Sequence, residues 1–300
     1  MKKTAILLLT ALAVMLVVPA TSHAGPWTLK KGKIWAEVYT KYFFSKNYYD
    51  PKGEKHRWGD GGFSRIYTVE GKLEYGITDR FNVRLSVPYV WSYWKNDWGK
   101  VRADWGKFKN EGFQHIGLAA KYRFLDKPIT AAAWGAVYIE PTNLDRCKQP
   151  DLIDYGSAIE ARALLGKAFK IYKKPCYVAS ELGYRWQSNW THKSPFANYL
   201  IIFGEGGIAF FDWLMLKGEV DLRYSHEGTG TRKDYCIWRV GPIFSVFGKG
   251  FSEVYKGGDY SFNVELQYGR YAWGRADGRS EKYNTVSAAD EYIIKFQVLF

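Results

Sequence analysis

Acidic and basic side chains recur at two- or four-residue spacing in several stretches of this 300-residue chain: Glu70, Lys72 and Glu74; Lys121 and Arg123; Glu160 and Arg162; Glu181 and Arg185; Lys217, Glu219, Asp221 and Arg223. Such rows can pair and fill an interior, line a wet conduit that sorts solutes by charge, or serve acid–base catalysis. Hydrolysis needs a nucleophile with a base in hydrogen-bond reach. Past residue 24 the histidines are His56, His115, His192 and His226. Of these His115 falls in an alternating segment, facing the same way as the charges. Ser157 and Ser180 face the other way, with no histidine on a neighbouring segment, so no catalytic residue is assigned. Cys147, Cys176 and Cys236 form neither CxxC nor CxxCH, which excludes a zinc ribbon and c-type haem. "DPKGEKHRWGDGG" is too irregular for a calcium loop, and "GEGG" lacks the Lys-Ser/Thr of a phosphate loop. Neither metal nor cofactor is expected.

The elements that carry these residues share one period. About twelve segments of roughly 10–14 residues alternate apolar and polar side chains, the length of a tilted membrane-crossing strand. They lie near 33–44, 63–77, 81–94, 112–124, 129–140, 155–168, 176–187, 199–210, 213–225, 235–247, 260–273 and 290–300. In 63–77 the odd positions read Phe63, Tyr67, Val69, Leu73, Tyr75 and Ile77, and the even ones include Glu70, Lys72 and Glu74. The polar face holds both charge signs in rows, as an enclosed interior does and a solvated sandwich face need not. Phe81, Tyr89, Trp91 and Tyr93 flank Val83, Leu85 and Val87, the placing of interfacial aromatic girdles. Connections run long then short, with "TDR" at 78–80, "LDKP" at 125–128, 169–175 and "FDW" at 211–213 among the short ones; "GKGFSEVYKGGD" at 248–259 breaks the rule. No apolar run of about 18 residues follows the N-terminal one, so no transmembrane helix is predicted. The fold expected is all-β: a transmembrane antiparallel up-and-down β-barrel of about 12 strands.

"MKK", an apolar run to Pro19 and "TSHA" read as a signal peptide over 1–24, leaving the barrel at 25–300. Loss of Lys2 and Lys3 lowers the formal charge from +13 to +11. On an exported barrel that surplus suits lipopolysaccharide and other anionic lipid, not nucleic acid. The terminal "EYIIKFQVLF" keeps its alternation to the last residue. Tyr292, Phe296 and Phe300 read as a signal for the barrel-assembly machinery, on a strand that must close against the first.

Within "LEYGITDRFNVRLSVPYVW" (73–91), the YG-(I/L)-TDR hairpin followed by alternating apolar residues and Pro-Tyr resembles bacterial outer-membrane barrels of the XagA-like and phenol-degradation-pathway (MetA-pathway) families. "GPWTLKKGK" fits the same group. The resemblance implies a barrel of this size in the Gram-negative outer membrane, supposed in some cases to help solutes cross, and carries over no catalytic residues.

Register follows from charge. A three-residue 78–80 connection places Glu74 opposite Arg84, and pairing Ala209 with Trp213 places Glu205 opposite Lys217. The inward residues expected to line a solute path are Glu70, Glu74, Arg84, Lys121, Arg123, Glu160, Arg162, Glu181, Arg185, Glu205, Lys217 and Arg239, with Trp35, Tyr39, Trp134 and Tyr138 as lumen aromatics. Gly117, Gly183, Gly207 and neighbouring alanines are expected to open room on one wall. A bridge between Cys147 and Cys236 is geometrically conceivable. The function these readings favour is passage of a small polar, anionic or aromatic solute; the alternatives are a structural or surface-binding barrel without transport, or an outer-membrane hydrolase. Solute, gating and oligomeric state are left open by the sequence.

Overall fold

The computed structural model describes residues 25–59, 61–95, 107–141, 157–187, 197–226, 232–248, 251, 260–277 and 286–300. Cys147 and the 1–24 segment lie outside them. Fourteen strands and no helix occur among the described residues: β1 (Ile34–Tyr49), β2 (Lys55–Arg57), β3 (Phe63–Thr78), β4 (Phe81–Lys95), β5 (Lys107–Phe113), β6 (Ile116–Leu125), β7 (Thr130–Ile139), β8 (Ala158–Ile171), β9 (Lys174–Gln187), β10 (Asn198–Phe211), β11 (Leu214–His226), β12 (Arg232–Gly248), β13 (Ser261–Asp277) and β14 (Val286–Leu299). All pairings are antiparallel between neighbours, and β14 pairs back onto β1 from Trp35↔Leu299 to Tyr49↔Val286. Phe300 completes the seam: its N–H donates to the Ile34 carbonyl (2.8 Å), and the Ile34 N–H donates to its own (2.9 Å). The wall therefore closes on itself along this seam, as a hydrocarbon surround requires.

β5 and β6 both pair with β4 and form one interrupted strand, so the wall counts twelve, as expected from the periodicity. The interruption has a local cause. Pro88 of β4 has no N–H to give the ladder. One extra residue, accommodated at Gln114–His115, lets the Gln114 N–H donate to the Pro88 carbonyl at 2.9 Å before pairing resumes at Gly117↔Ser86. The other addition, β2, extends the β1 edge through Tyr49↔Lys55 and lies within a connection that the sequence left unstructured.

Burial follows the alternation. Glu74, Lys121, Glu160 and Glu265 are buried, while Leu73, Leu85, Leu118, Val137, Leu182, Val220 and Ile294 show large exposed apolar surfaces on the outer wall. The 169–175 connection is shorter than the sequence suggested. β8 and β9 close through Tyr172 and Lys173 alone, both with positive φ (46° and 67°), a turn usually signalled by Asn-Gly.

Candidate functional site

The inward charges gather into four groups. Fully buried Glu74 accepts from Asn82 Nδ2 (2.6 Å) and Arg84 Nε (2.7 Å), and pairs with Lys121 Nζ (3.1 Å). The Arg84 guanidinium lies 5.2 Å from the Trp35 ring and 4.8 Å from that of Trp134, so two indoles face one cation. Glu160 accepts from Arg162 Nε (2.6 Å) and Arg185 Nε (2.5 Å); Arg162 also reaches Glu181 (2.6 Å), and Arg185 stands 4.3 Å over Tyr138. A third group runs around six strands: Glu205 and Glu219 share Lys217 (3.0 and 2.7 Å), Lys295 joins Glu219 to Glu265 (3.5 and 3.0 Å), Gln297 donates to Glu37 (2.7 Å), and Lys72 links Glu37 to Glu70 (2.9 and 3.4 Å) beneath Tyr39. Fourth, Glu291 pairs with Arg239 (3.0 Å) and Lys41 (3.5 Å). Glu291 was absent from the sequence-based set, although the alternation through Ile293 and Lys295 points to it.

Among the described residues these groups border two adjoining cavities inside the barrel. One, of about 320 Å³, is bounded by Trp35, Arg84, Lys121, Trp134, Glu181, Glu205 and Lys217. The other, of about 610 Å³, lies toward the long connections and is bounded by Tyr39, His115, Arg185, Asp221, Arg239 and Glu291. They share Glu70, Lys72, Ser86, Tyr138, Arg162, Glu219 and Lys295 as common wall. His115 faces the larger cavity from the break between β5 and β6, while Ser180 is exposed on the outer face of β9.

The end of the bore with the short turns is spanned by chain. Thr28 Oγ1 donates to the Asp79 carbonyl (2.7 Å) and the Lys31 N–H to Asp79 Oδ1 (2.8 Å), which fixes the N-terminal segment on the β3–β4 turn. From there it crosses to β8 and β9. Trp27 meets the Tyr177 ring edge-on at 5.9 Å, and a Cβ at Gly166 would stand 2.8 Å from Pro26, so only glycine admits the segment there. Phe251 is buried in the same cluster with Tyr177, Ala209, Met215 and Ile243, its N–H donating to the Asp212 carbonyl (2.8 Å). The connection that broke the long–short rule thus contributes a plug residue.

Three expectations are corrected. Arg123 bounds neither cavity; it braces two turns at the rim, donating to the Asp79 carbonyl (2.9 Å) and pairing with Asp126 (3.1 Å). Glu205 faces Glu219, not Lys217, because Ala209 stands opposite Met215 and not Trp213, two residues out from the expected register, with a bulge between Ala209 and Phe211 beside the turn. The long Lys217 side chain, opposite Gly207, reaches diagonally between both carboxylates and counters their repulsion. The small residues do not open the wall. Arg162 folds over Gly183, where a Cβ would be 2.5 Å from its Cγ, and Tyr177 covers Gly207. By contrast Glu74↔Arg84 holds as expected.

On the rim, Asp50, Glu54 and His56 bring ligand atoms within 4.8 Å of one another. Desolvation pushes the Asp50 carboxyl up, but the Glu54 N–H, His56 and the Lys52 N–H together hold it below its usual pKa. Those bonds account for the cluster without an ion.

No protein-family model and no curated protein sequence matches the chain. Among solved structures, the COG4313 outer membrane channel from Pseudomonas putida F1 is similar with TM-score 0.67 at 15% identity, over 93% of this chain and 99% of that one. Weaker likenesses are the beta domain of the Bordetella autotransporter BrkA (TM-score 0.48, 11% identity, 90% and 100% covered) and the translocator domain of autotransporter NalP from Neisseria meningitidis (0.45, 12%, 93% and 89%). The resemblance carried by the 73–91 hairpin is therefore borne out at the level of fold, and that fold is the bacterial outer-membrane β-barrel.

Proposed function

We propose that this barrel resides in the outer membrane and passes a small polar or anionic solute through its charged bore. The observation that carries this reading is the pair of adjoining cavities, walled by paired charges and by the faces of Trp35, Trp134 and Tyr138. Fixed charges of both signs replace part of a polar solute's hydration, and because each is already paired the lining needs no counter-ion from the solute. Aromatic faces beside cations suit a planar anion, such as an aromatic carboxylate. A structural likeness to a protein described as an outer membrane channel adds support. The narrowness of a twelve-stranded bore restricts the solute to small molecules.

A second reading, a structural or surface-binding barrel without transport, is favoured by the filling of the mouth by Trp27 and Phe251. Swelling of proteoliposomes separates the two. Conduction predicts that liposomes carrying the protein swell in isosmotic small sugars and carboxylates at rates above protein-free controls. Equal rates for every solute would assign the barrel to the second reading.

A further inference from the structure

The outer wall carries a cleft of its own. It measures about 690 Å³ and lies on the lipid side of β1, β3, β4, β5 and β14, among Tyr42, Tyr67, Val69, Trp91, Tyr292 and Ile294, with Arg65, Tyr93 and Lys109 along one end. The register orders these residues by height. Arg65 stands opposite Tyr93, and Tyr93 opposite Lys109; the next row inward is Tyr42, Tyr67 and Trp91, and Val69 lies in the row after it. From Ile77, beside the short turn, to Tyr67 is ten residues. At about 3.3 Å each along a strand tilted by about 40°, that rises about 25 Å, the height of an outer-membrane barrel's apolar band. Arg65 and Lys109 therefore sit just above the hydrocarbon of the leaflet nearer the long connections, with aromatic and then aliphatic surface below them.

Arg65 is set apart from the bore cations, which have carboxylate partners. Its guanidinium lies 6.0 Å from the Phe44 ring and 5.2 Å from the Phe63 ring, and its buried Nε has no hydrogen-bond partner. No carboxylate pairs with it among the described residues. Lys46 adds a third cation, 5.7 Å from the Phe44 ring. Lys109 is mostly exposed and shares a contact with Glu111 at 3.3 Å. On the far side of β1, Asp290 is already engaged by the Tyr268 hydroxyl (2.8 Å) and Arg270 (3.7 Å).

We infer that this cleft binds one lipopolysaccharide molecule through its lipid A moiety, with phosphate on Arg65 and Lys109 and acyl chain along Tyr67, Trp91 and Ile294. The match is chemical at each height. A planar guanidinium with unused donors takes a phosphate in fork geometry, ring faces at headgroup level tolerate sugar and glycerol carbons alike, and the aliphatic floor takes saturated chain. Two cations about one strand pair apart favour a headgroup with two phosphates over a single phosphodiester. The inference rests on outer-membrane placement and not on passage through the bore.

The test titrates the purified full-length protein in neutral detergent with bisphosphorylated lipid A, monophosphorylated lipid A and phosphatidylglycerol, reading tryptophan fluorescence and the thermal transition. Bisphosphorylated lipid A is expected to bind most tightly. R65A should weaken it about tenfold and K109Q by less, the loss of one charge-assisted contact each. R80A, at the opposite rim, should leave binding unchanged. Each variant is first checked for heat-modifiable gel migration; should R65A fail that check, K109Q and R65K carry the test, with R65K expected to retain most binding. Equal affinity in the wild type and the cleft variants, phosphatidylglycerol binding as tight as lipid A, or no saturable binding would each overturn the inference.

Discussion

At the scale of single residues, the bore is held by carboxylates that have lost water and gained cations. Glu74 is fully buried between Asn82, Arg84 and Lys121, so Glu74→Ala strands two cations and should destabilise the barrel by about 3–5 kcal/mol, read as a lower urea midpoint. Glu74→Gln keeps the shape and should lose less. Most of these residues were legible from parity alone, because one strand face is inside. What parity could not give was reach. Lys217 pairs with Glu205 from a diagonal position, and Arg162 occupies the space over Gly183, since long side chains on a curved wall lean across rows that a flat pairing diagram keeps apart. Arg123 was misplaced for a related reason: near a turn, parity still names the inward face, but the side chain has rim carbonyls to bond.

At the scale of elements, strand positions were legible within a few residues, because period-two patterning with aromatic ends marks both the face and the limits of a strand. Departures cluster where the backbone breaks the period. The bulge opposite Pro88 splits β5 from β6, β11 pairs two residues out from the expected register beside the Ala209–Phe211 bulge, and Tyr172–Lys173 closes a hairpin with no turn residues to announce it. Two L-residues in the left-handed region carry about 1–2 kcal/mol each. Replacing Tyr172–Lys173 by Asn-Gly should therefore raise the urea midpoint and speed refolding into detergent or lipid, with no change at the bore; Tyr172 is 96% exposed, so little packing is lost. The strap formed by the N-terminal segment was not legible, since nothing in "GPWTL" states where it will pack. Trp27→Ala, which removes its ring from Tyr177, should increase solute flux through the bore in the swelling assay while leaving the strands intact by circular dichroism.

At the scale of the whole molecule, the sequence gives up the closed barrel because closure and lipid exposure impose the same alternation on every strand. Leu85 lies on the outer face between Leu73 and Leu118, so Leu85→Arg should cost about 2–4 kcal/mol in a bilayer, whereas a charge added on the inner face, beside existing partners, should cost less. The seam obeys the same logic: deleting Phe300 removes both backbone bonds to Ile34 and should leave less folded barrel in outer-membrane fractions. Passage of solute requires the two cavities to join into one path. Single-channel recording of the purified protein in a planar bilayer under a salt gradient measures this most directly. Passage through the bore predicts discrete current steps whose reversal potential moves toward cation selectivity when Arg162 and Lys217 are replaced by glutamine. A bilayer that stays silent with correctly folded protein, or a current indifferent to those replacements, would contradict it.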